Sequence, residues 1–254
     1  MKKQQNMEPK IIYEDDDVLV IDKPAGLIVH SDGRTEEPSV AGWVLETHPY
    51  MSEAGEPWVS PQGEIVPRPG IVHRLDRTTS GVMALAKNKK AYEFLKLQFQ
   101  SRSIEKTYRA FVYGHLKEDS GTIEKEIVRI RSNPPRWGVK RSGEEKKHRA
   151  AVTEWRMRVR GEDFATGEKV SYIELSPKTG RTHQLRVHMK AINHPVVCDS
   201  LYAPRMPCLL NFSRPALHAY RLSVALPSGE HRVFEAPLPE DFVSAEERMI
   251  SRLR

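Results

Sequence analysis

Short runs of β-branched and aromatic residues outnumber the segments with helical periodicity along this chain. Strands are predicted at residues 11–13, 18–21, 81–86, 107–113, 152–159 and 170–175, with a hairpin around Ser228-Gly229. Helices are predicted at residues 40–45, after an Asn88 cap, and from a Thr182 cap to Ile192. The strands do not alternate regularly with helices, as a doubly wound sheet would require. The sequence therefore predicts an α+β fold with a largely antiparallel or mixed β-sheet, flanked by helices and loops.

Cysteine and histidine spacing argues against a metal site. The two cysteines, Cys198 and Cys208, form no CxxC pair, which excludes a cysteine-rich zinc site and argues against a disulfide framework. His183, His188 and His194 are spaced by five and six residues, which does not place them on one helical face. We expect no metal.

The sequence predicts neither a membrane helix nor a secretory signal. No apolar run approaches the roughly 18 residues of a membrane helix. The basic N-terminus is not followed by the apolar stretch of a secretory signal. We therefore expect a cytoplasmic protein that does not contact a membrane.

Positive charge is concentrated between residues 128 and 160, in a chain of formal net charge +6. The acidic residues in this basic segment are only Glu144, Glu145 and Glu154. Such a block repels itself unless a polyanion neutralises it, and nucleic acid is the natural polyanion; a solvated loop is the alternative. The basic residues are Arg129, Arg131, Arg136, Lys140, Arg141, Lys146, Lys147, Arg149, Arg156, Arg158 and Arg160.

Three polar segments stand out, at residues 73–81, 105–110 and 175–188. The chain has no GxxxxGK[ST] loop, no GxGxxG and no GxSxG. The first segment is superficially similar to a kinase catalytic loop, but the inserted Leu75 and the missing glycine-rich and DFG motifs argue against a kinase. The third segment precedes a predicted helix N-terminus, whose free N–H groups suit a phosphate or carboxylate.

Taken together, these segments resemble the RluA-type RNA pseudouridine synthases. The family hallmark HRLDxxTSG is matched by HRLDRTTSG at residues 73–81. Further matches follow in family order at residues 17–27, 106–110, 179–188, 217–219 and 234–239. The resemblance implies one catalytic domain at 11–242 with a cleft across its sheet, a disordered tail at 1–10 and a C-terminal tail at 243–254. With a first strand near residue 11, we expect no separate N-terminal RNA-binding domain.

The resemblance implies a cofactor-free isomerisation of uridine in ribosomal or transfer RNA. Asp76 would be the nucleophile, either attacking C1′ or promoting loss of the 2′ proton. Because burial raises the pKa of a carboxylate, a cation must oppose it, and Arg181 matches the family arginine. Tyr108 would pack on the uracil and act as a base in the final deprotonation. A turn aspartate, a core tyrosine and a surface arginine are the alternatives.

Other motif residues are implied to bind the substrate. Arg74 would help to flip the uridine or fill the gap left behind, with a structural or phosphate role as the alternative. Cys198-Asp199 departs from the Gly-Asp that relatives commonly have, which places a side chain where there is usually none. The remaining expected RNA- or substrate-binding residues are His73, Arg77, Thr79, Arg186 and Leu201.

We expect the basic segment to bind the RNA substrate. Trp137 in this segment would either stack on a base or pack internally. The proline-rich segment 47–70 is another expected RNA-facing loop. We expect a monomer with RNA as its partner and no obligatory protein partner. An RNA chaperone with dispensable catalysis and a nucleotide-binding enzyme are the competing hypotheses; the intact catalytic residues argue against the first, and the missing phosphate motifs argue against the second.

Overall fold

The computed structural model describes residues 7–31, 37–60, 63–130, 132, 135–140 and 148–250. The chain folds into two compact units. The first unit comprises Met1–Glu105 and Ala219–Pro237, and the second comprises Lys106–His218 and Leu238–Arg254. Most of the expected N-terminal tail lies outside the described residues, as do Arg131, Arg141, Glu144, Glu145, Lys146 and Lys147 of the basic segment.

The described residues form strands and helices of both classes throughout the chain. The strands are β1 (Lys10–Glu14), β2 (Val18–Lys23), β3 (Trp58–Val59), β4 (Ile65–Val66), β5 (Ser80–Ala86), β6 (Glu105–Tyr113), β7 (Ser120–Glu124), β8 (Ile127–Ile130), β9 (Arg136–Val139), β10 (His148–Arg149), β11 (Val152–Glu162), β12 (Lys169–Pro177), β13 (Leu217–Ala225) and β14 (His231–Glu235). The helices are α1 (Val40–Thr47), α2 (Lys89–Ser101), α3 (Gln184–Ala191) and α4 (Glu240–Ile250), with a 3-10 turn at Pro49–Met51.

The first unit is built on strands in the order β1-β2-β5-β13, with β14 paired to β13. The Asp15 carboxylate closes the turn between β1 and β2 by accepting the backbone N–H groups of Asp17 and Val18 at 2.9 and 2.6 Å. Strands β2 and β5 are almost wholly buried, and one of their faces packs against α1. Gly81 has a φ of +118°, and a Cβ there would lie 2.1 Å from the Ala219 carbonyl oxygen, so only glycine fits.

The second unit is built on strands in the antiparallel order β6-β12-β11-β7. Leu175 lies opposite both Tyr108 of β6 and Trp155 of β11, so these three side chains share one face of the sheet. Arg109 and its partner Glu174 belong to the other face.

Each face of this sheet carries one helix. On the Tyr108 face, Gln184 and His188 of α3 contact the hydroxyl of Thr153, at 3.0 and 2.9 Å; Thr153 lies two residues before Trp155 on β11. On the opposite face, Phe242 of α4 packs on Phe111, with ring centroids 5.5 Å apart. Helix α4 thus occupies the first part of the segment expected to be a C-terminal tail.

The α+β class and the largely antiparallel sheet are confirmed. So is the Asn88 cap, whose side-chain oxygen accepts the Ala91 N–H at 2.9 Å. The Thr182 cap was wrong, because α3 begins after His183, which has a φ of +56° and makes no side-chain cap bond. Segment 47–70 is not wholly irregular, since β3 and β4 pair within it.

The basic segment contains strands that the sequence did not predict. Strands β8, β9 and β10 form a three-stranded antiparallel sheet in the order β10-β8-β9, called the basic sheet below. Arg129 pairs with Trp137 across β8 and β9, and Arg149 pairs with Ile127 across β10 and β8. By alternation, these four side chains share one face of the basic sheet.

A single disulfide is present, although no disulfide framework was expected. Cys198 and Cys208 are bonded, with their Cα atoms 4.4 Å apart, because the intervening chain folds back on itself. Cys198 has a φ of +59°, in the left-handed region that favours glycine, so a side chain stands here where the backbone conformation suits glycine. None of the described helices is sufficiently long and apolar to span a bilayer.

Candidate active site

The turn at Asp76 is anchored from inside the first unit. Asp76 is half-buried, and its carbonyl oxygen accepts the Thr79 N–H at 3.1 Å. Leu75, on one side of it, and Thr79, on the other, are only 4% and 3% exposed. The chain therefore presents the Asp76 carboxylate from a turn whose apolar and hydroxyl neighbours are fixed in the protein interior.

Lys23 braces this turn, and sequence analysis missed that role. Its ammonium group is fully buried and donates to the carbonyl oxygens of Pro24 and Leu27, both at 2.8 Å, and of Arg77 at 3.3 Å. The same Arg77 carbonyl accepts the Gly26 N–H at 2.8 Å. A buried cation surrounded by carbonyl dipoles thus ties the residue after Asp76 to the end of β2.

The other motif residues of the first unit have different surroundings. The Nε2 atom of His73 accepts the Ala84 N–H at 3.0 Å, and its ring stacks on Phe99 at 4.3 Å. Arg77 is half-exposed and pairs with Glu37 at 2.6 Å. Arg74 is exposed, as a residue that meets RNA should be. Their RNA contacts, and that of Thr79, stay predictions.

Arg181 lies in the loop between β12 and α3, and Gln184 organises this loop. The Gln184 side-chain oxygen receives hydrogen bonds from the Thr179 hydroxyl at 2.6 Å and from the Arg181 N–H at 3.1 Å. Its amide nitrogen donates to Val152 O at 2.9 Å. Arg181 is half-buried, and its Nε donates to the Ala150 carbonyl at 3.1 Å. The guanidinium is thus directed by a loop fastened to β11.

Tyr108 is half-buried on the face of the second unit that also carries α3. Asp76, in contrast, belongs to the first unit. The convergence of Asp76 with Arg181 and Tyr108 therefore stays a prediction, while Tyr108 and the Arg181 loop lie on the same face of the sheet in their own unit.

Arg186, an expected RNA-binding residue, is instead engaged in a buried ion pair. Its Nε and Nη2 atoms donate to the two carboxylate oxygens of Asp199 at 2.7 and 2.8 Å. Asp199 also accepts the N–H groups of Leu201 and Tyr202, both at 3.1 Å. This pair positions Leu201, the expected pocket residue, which packs with Trp137 in a small apolar cluster.

Burial perturbs one histidine beside this site. Burial lowers the pKa of His188, which is fully buried. Its Nε2 donates to the Lys125 carbonyl at 3.0 Å, and its Nδ1 accepts from the Thr153 hydroxyl at 2.9 Å. In the described part of the chain, no three His, Cys, Asp or Glu residues are grouped as a metal site would require.

Sequence analysis missed the supporting residues Lys23, Gln184, Asp199 and Tyr202. Gln184 and Asp199 were visible as polar residues beside the motif arginine and the unusual Cys198. Their partners depend on how separate segments approach each other, which spacing alone does not reveal.

Comparison with known proteins identifies the family. A family model described as RNA pseudouridylate synthase matches residues 17–191. The chain is 41% identical over 241 residues to ribosomal large subunit pseudouridine synthase D of Neisseria meningitidis serogroup B, which covers 91% of this chain and 58% of that protein. It is 38% identical over 245 residues to a Bacillus subtilis protein named uncharacterized RNA pseudouridine synthase YlyB, covering 96% of this chain and 73% of that protein. The chain therefore spans little more than half the length of the Neisseria protein.

Solved structures agree with this assignment. Human RNA pseudouridylate synthase domain containing 1 superposes with a TM-score of 0.71 at 26% identity, covering 94% of this chain and 87% of that chain. Human RNA pseudouridylate synthase domain containing 4, at 23% identity and a TM-score of 0.68, has the same fold and covers 94% and 92%. The motif order, the matched family model and these relatives together show that the chain belongs to the RluA-type family of RNA pseudouridylate synthases.

Proposed function

We propose that the chain is an RNA pseudouridine synthase that isomerises specific uridines in ribosomal or transfer RNA. The observation that carries this proposal is the braced turn at Asp76, which presents a carboxylate within the family motif and whose Arg77 carbonyl accepts a hydrogen bond from buried Lys23. Relatives named as ribosomal large subunit pseudouridine synthases favour ribosomal RNA.

The reaction assigned to the site rearranges bonds without changing the composition of the RNA. The bond from C1′ to N1 breaks, and a bond from C1′ to C5 forms; C5 loses a proton and N1 gains one. Asp76 starts the reaction in one of two ways. It attacks C1′, and the bond so formed breaks when C1′ joins C5; or it promotes loss of the 2′ proton, which returns to C2′ after C1′ joins C5. Arg181 offsets the charge of the Asp76 carboxylate, and Tyr108 removes the C5 proton. No redox or group-transfer cofactor is required.

RNA binding is assigned to the basic sheet together with the motif loop. Arg129 and Arg149 are exposed, on the face of the sheet that also carries Trp137. Trp137 itself packs edge-on against His183, with centroids 5.1 Å apart, which favours an internal role over base stacking. We propose that the protein acts in the cytoplasm, as a monomer.

Loss of the C5 hydrogen supplies a direct assay. RNA transcribed with uridine tritiated at C5 releases tritium to water when pseudouridine forms. We expect wild type to release it and Asp76→Asn to be at least about 10³-fold slower, since an amide cannot replace the carboxylate in either route. The matched control is Asp16→Asn, at an exposed position in the first unit, which should act like wild type.

RNA binding separates loss of chemistry from loss of substrate. Asp76→Asn should bind the same RNA within about twofold of wild type, because it removes one charge and no cation. Normal tritium release by Asp76→Asn would refute the role of Asp76. If wild-type protein released no tritium from ribosomal or transfer RNA, the proposed activity itself would be refuted.

A further inference from the structure

Tyr202 is held rigidly in the second unit. Tyr202 is 4% exposed, and two cations approach its ring, with Arg186 and Lys190 at 5.0 and 5.8 Å from the ring centroid. Its backbone N–H donates to Asp199, which is itself locked by Arg186. A side chain so constrained places its hydroxyl oxygen in a defined position.

That hydroxyl contacts two separate segments. It accepts the backbone N–H of Trp137, in the basic sheet, at 3.2 Å. It lies 2.9 Å from Nδ1 of His183, in the loop that carries Arg181. Because a phenolic hydroxyl can accept one hydrogen bond and donate another, it can contact the Trp137 N–H and the His183 Nδ1 at the same time. The hydroxyl thus links the basic sheet to the Arg181 loop. This link, formed by Trp137, Tyr202 and His183, is called the joint below.

A second hydrogen bond runs in parallel. The Arg181 Nε donates to the carbonyl of Ala150, which directly follows β10. Its neighbour Arg149 is one of the exposed cations assigned to RNA. The basic sheet is therefore joined to the Arg181 loop at both of its outer strands, β9 through Tyr202 and β10 through Ala150.

We propose that Tyr202 is a positioning residue, whose hydroxyl fixes the distance between RNA held on the basic sheet and the Arg181 guanidinium. This inference rests on the proposed function, since it assigns RNA to the basic sheet. Tyr202 touches neither substrate nor reacting atoms; it sets the register in which the RNA is presented. Loss of the Tyr202 hydroxyl would leave RNA bound but misaligned with the Arg181 guanidinium. Even a small misplacement of a substrate lowers the reaction rate strongly.

The test is Tyr202→Phe, which removes one oxygen atom. We expect kcat for tritium release to fall about tenfold, while the Kd for RNA, measured in an Asp76→Asn background, stays within about twofold. His183→Ala, which removes the other end of the joint, should cause the same split. The matched control is Tyr220→Phe, which removes a hydroxyl bonded to Glu235 at 2.9 Å in the first unit and should change neither value.

Coupling to the basic sheet provides a second readout. In an Arg129→Ala/Arg149→Ala background, where the sheet no longer holds RNA, adding Tyr202→Phe should lower kcat/KM by less than about twofold. The joint would be overturned by an unchanged kcat in Tyr202→Phe, by a fall in kcat explained by weaker RNA binding, or by the full tenfold effect in the double-alanine background.

A readout without catalysis separates this inference from the proposed function. Amide hydrogen exchange at Trp137 should accelerate in Tyr202→Phe, because its acceptor is removed, and should be unchanged in Tyr220→Phe. If wild type proves inactive but the Trp137 amide responds, the proposed function fails while the joint exists. Unchanged exchange at Trp137 overturns the joint, whatever the activity.

Discussion

Replacing Asp199 by alanine tests how far one buried carboxylate stabilises the second unit. The Asp199 side chain is 0% exposed and that of Arg186 is 7% exposed. The substitution removes both acceptor oxygens from the Arg186 guanidinium and leaves the N–H groups of Leu201 and Tyr202 without this acceptor. Removing one partner of a buried ion pair costs about 3–5 kcal/mol, since it leaves an uncompensated charge.

This loss is large enough to measure by thermal denaturation. In a protein of this size, 1 kcal/mol shifts the Tm by about 2–4 °C, so Asp199→Ala should lower the Tm by roughly 6–20 °C. Circular dichroism would follow the transition. The matched control is Asp241→Ala, which breaks a bidentate pair with Arg214. The side chain of Asp241 is 29% exposed and that of Arg214 is 14% exposed. Partial hydration of that pair should make its loss much smaller.

A double variant distinguishes an unpaired charge from lost packing. Asp199→Ala combined with Arg186→Met leaves no buried charge, so it should recover at least about half of the lost Tm. If Asp199→Ala lowered the Tm no more than Asp241→Ala, the buried pair would not stabilise the second unit more than the partly hydrated pair does. If the double variant lost as much in Tm as the two single variants together, the destabilisation would come from lost packing and not from an unpaired charge.

Two further predictions concern the second unit. The Cys198–Cys208 bond closes a loop of sequence separation 10, so Cys208→Ser should lower the free energy of unfolding by about 3 kcal/mol in urea titrations; a reductant should destabilise wild type but leave Cys208→Ser unchanged. His188 has a folded pKa lowered by burial, so the unfolded chain binds its proton more readily than the folded one. Stability should therefore fall as pH drops below the unfolded value of about 6.5. His188→Gln should lose part of that pH dependence between pH 7 and 5 in thermal melts, and an unchanged dependence would refute the assignment.

Elements with local signals were predictable from sequence. The buried strand β5, the Asn88 cap of α2 and the hairpin around Ser228-Gly229 follow from residue pattern, capping chemistry and turn preference. Each of these elements is determined by residues that are close together in the sequence, so a single sequence is sufficient to predict it.

Elements with distant partners were not predictable. The basic sheet consists of strands of two to four residues, separated by segments that contain proline and glycine. Such short strands acquire regular structure only by pairing. Arg186 was expected at RNA because nothing local distinguishes an arginine on the surface from one whose carboxylate lies thirteen residues away. Family motifs indicated Asp76, Tyr108 and Arg181, but the residues that brace them, Lys23 and Gln184, become evident only from tertiary contacts.

The loop from Cys198 to Cys208 is closed, because its two ends are joined to each other. The disulfide joins its ends, and the Tyr113 hydroxyl bridges the same ends by donating to the Pro207 carbonyl and accepting the Cys198 N–H. Residues 204–207 are exposed, whereas Asp199 near the start is buried. A fluorophore attached at position 206 should therefore leave the buried Asp199–Arg186 pair intact. If this loop were exchanged between relatives, by contrast, Arg186 on α3 would have to be exchanged with it, because Arg186 pairs with Asp199.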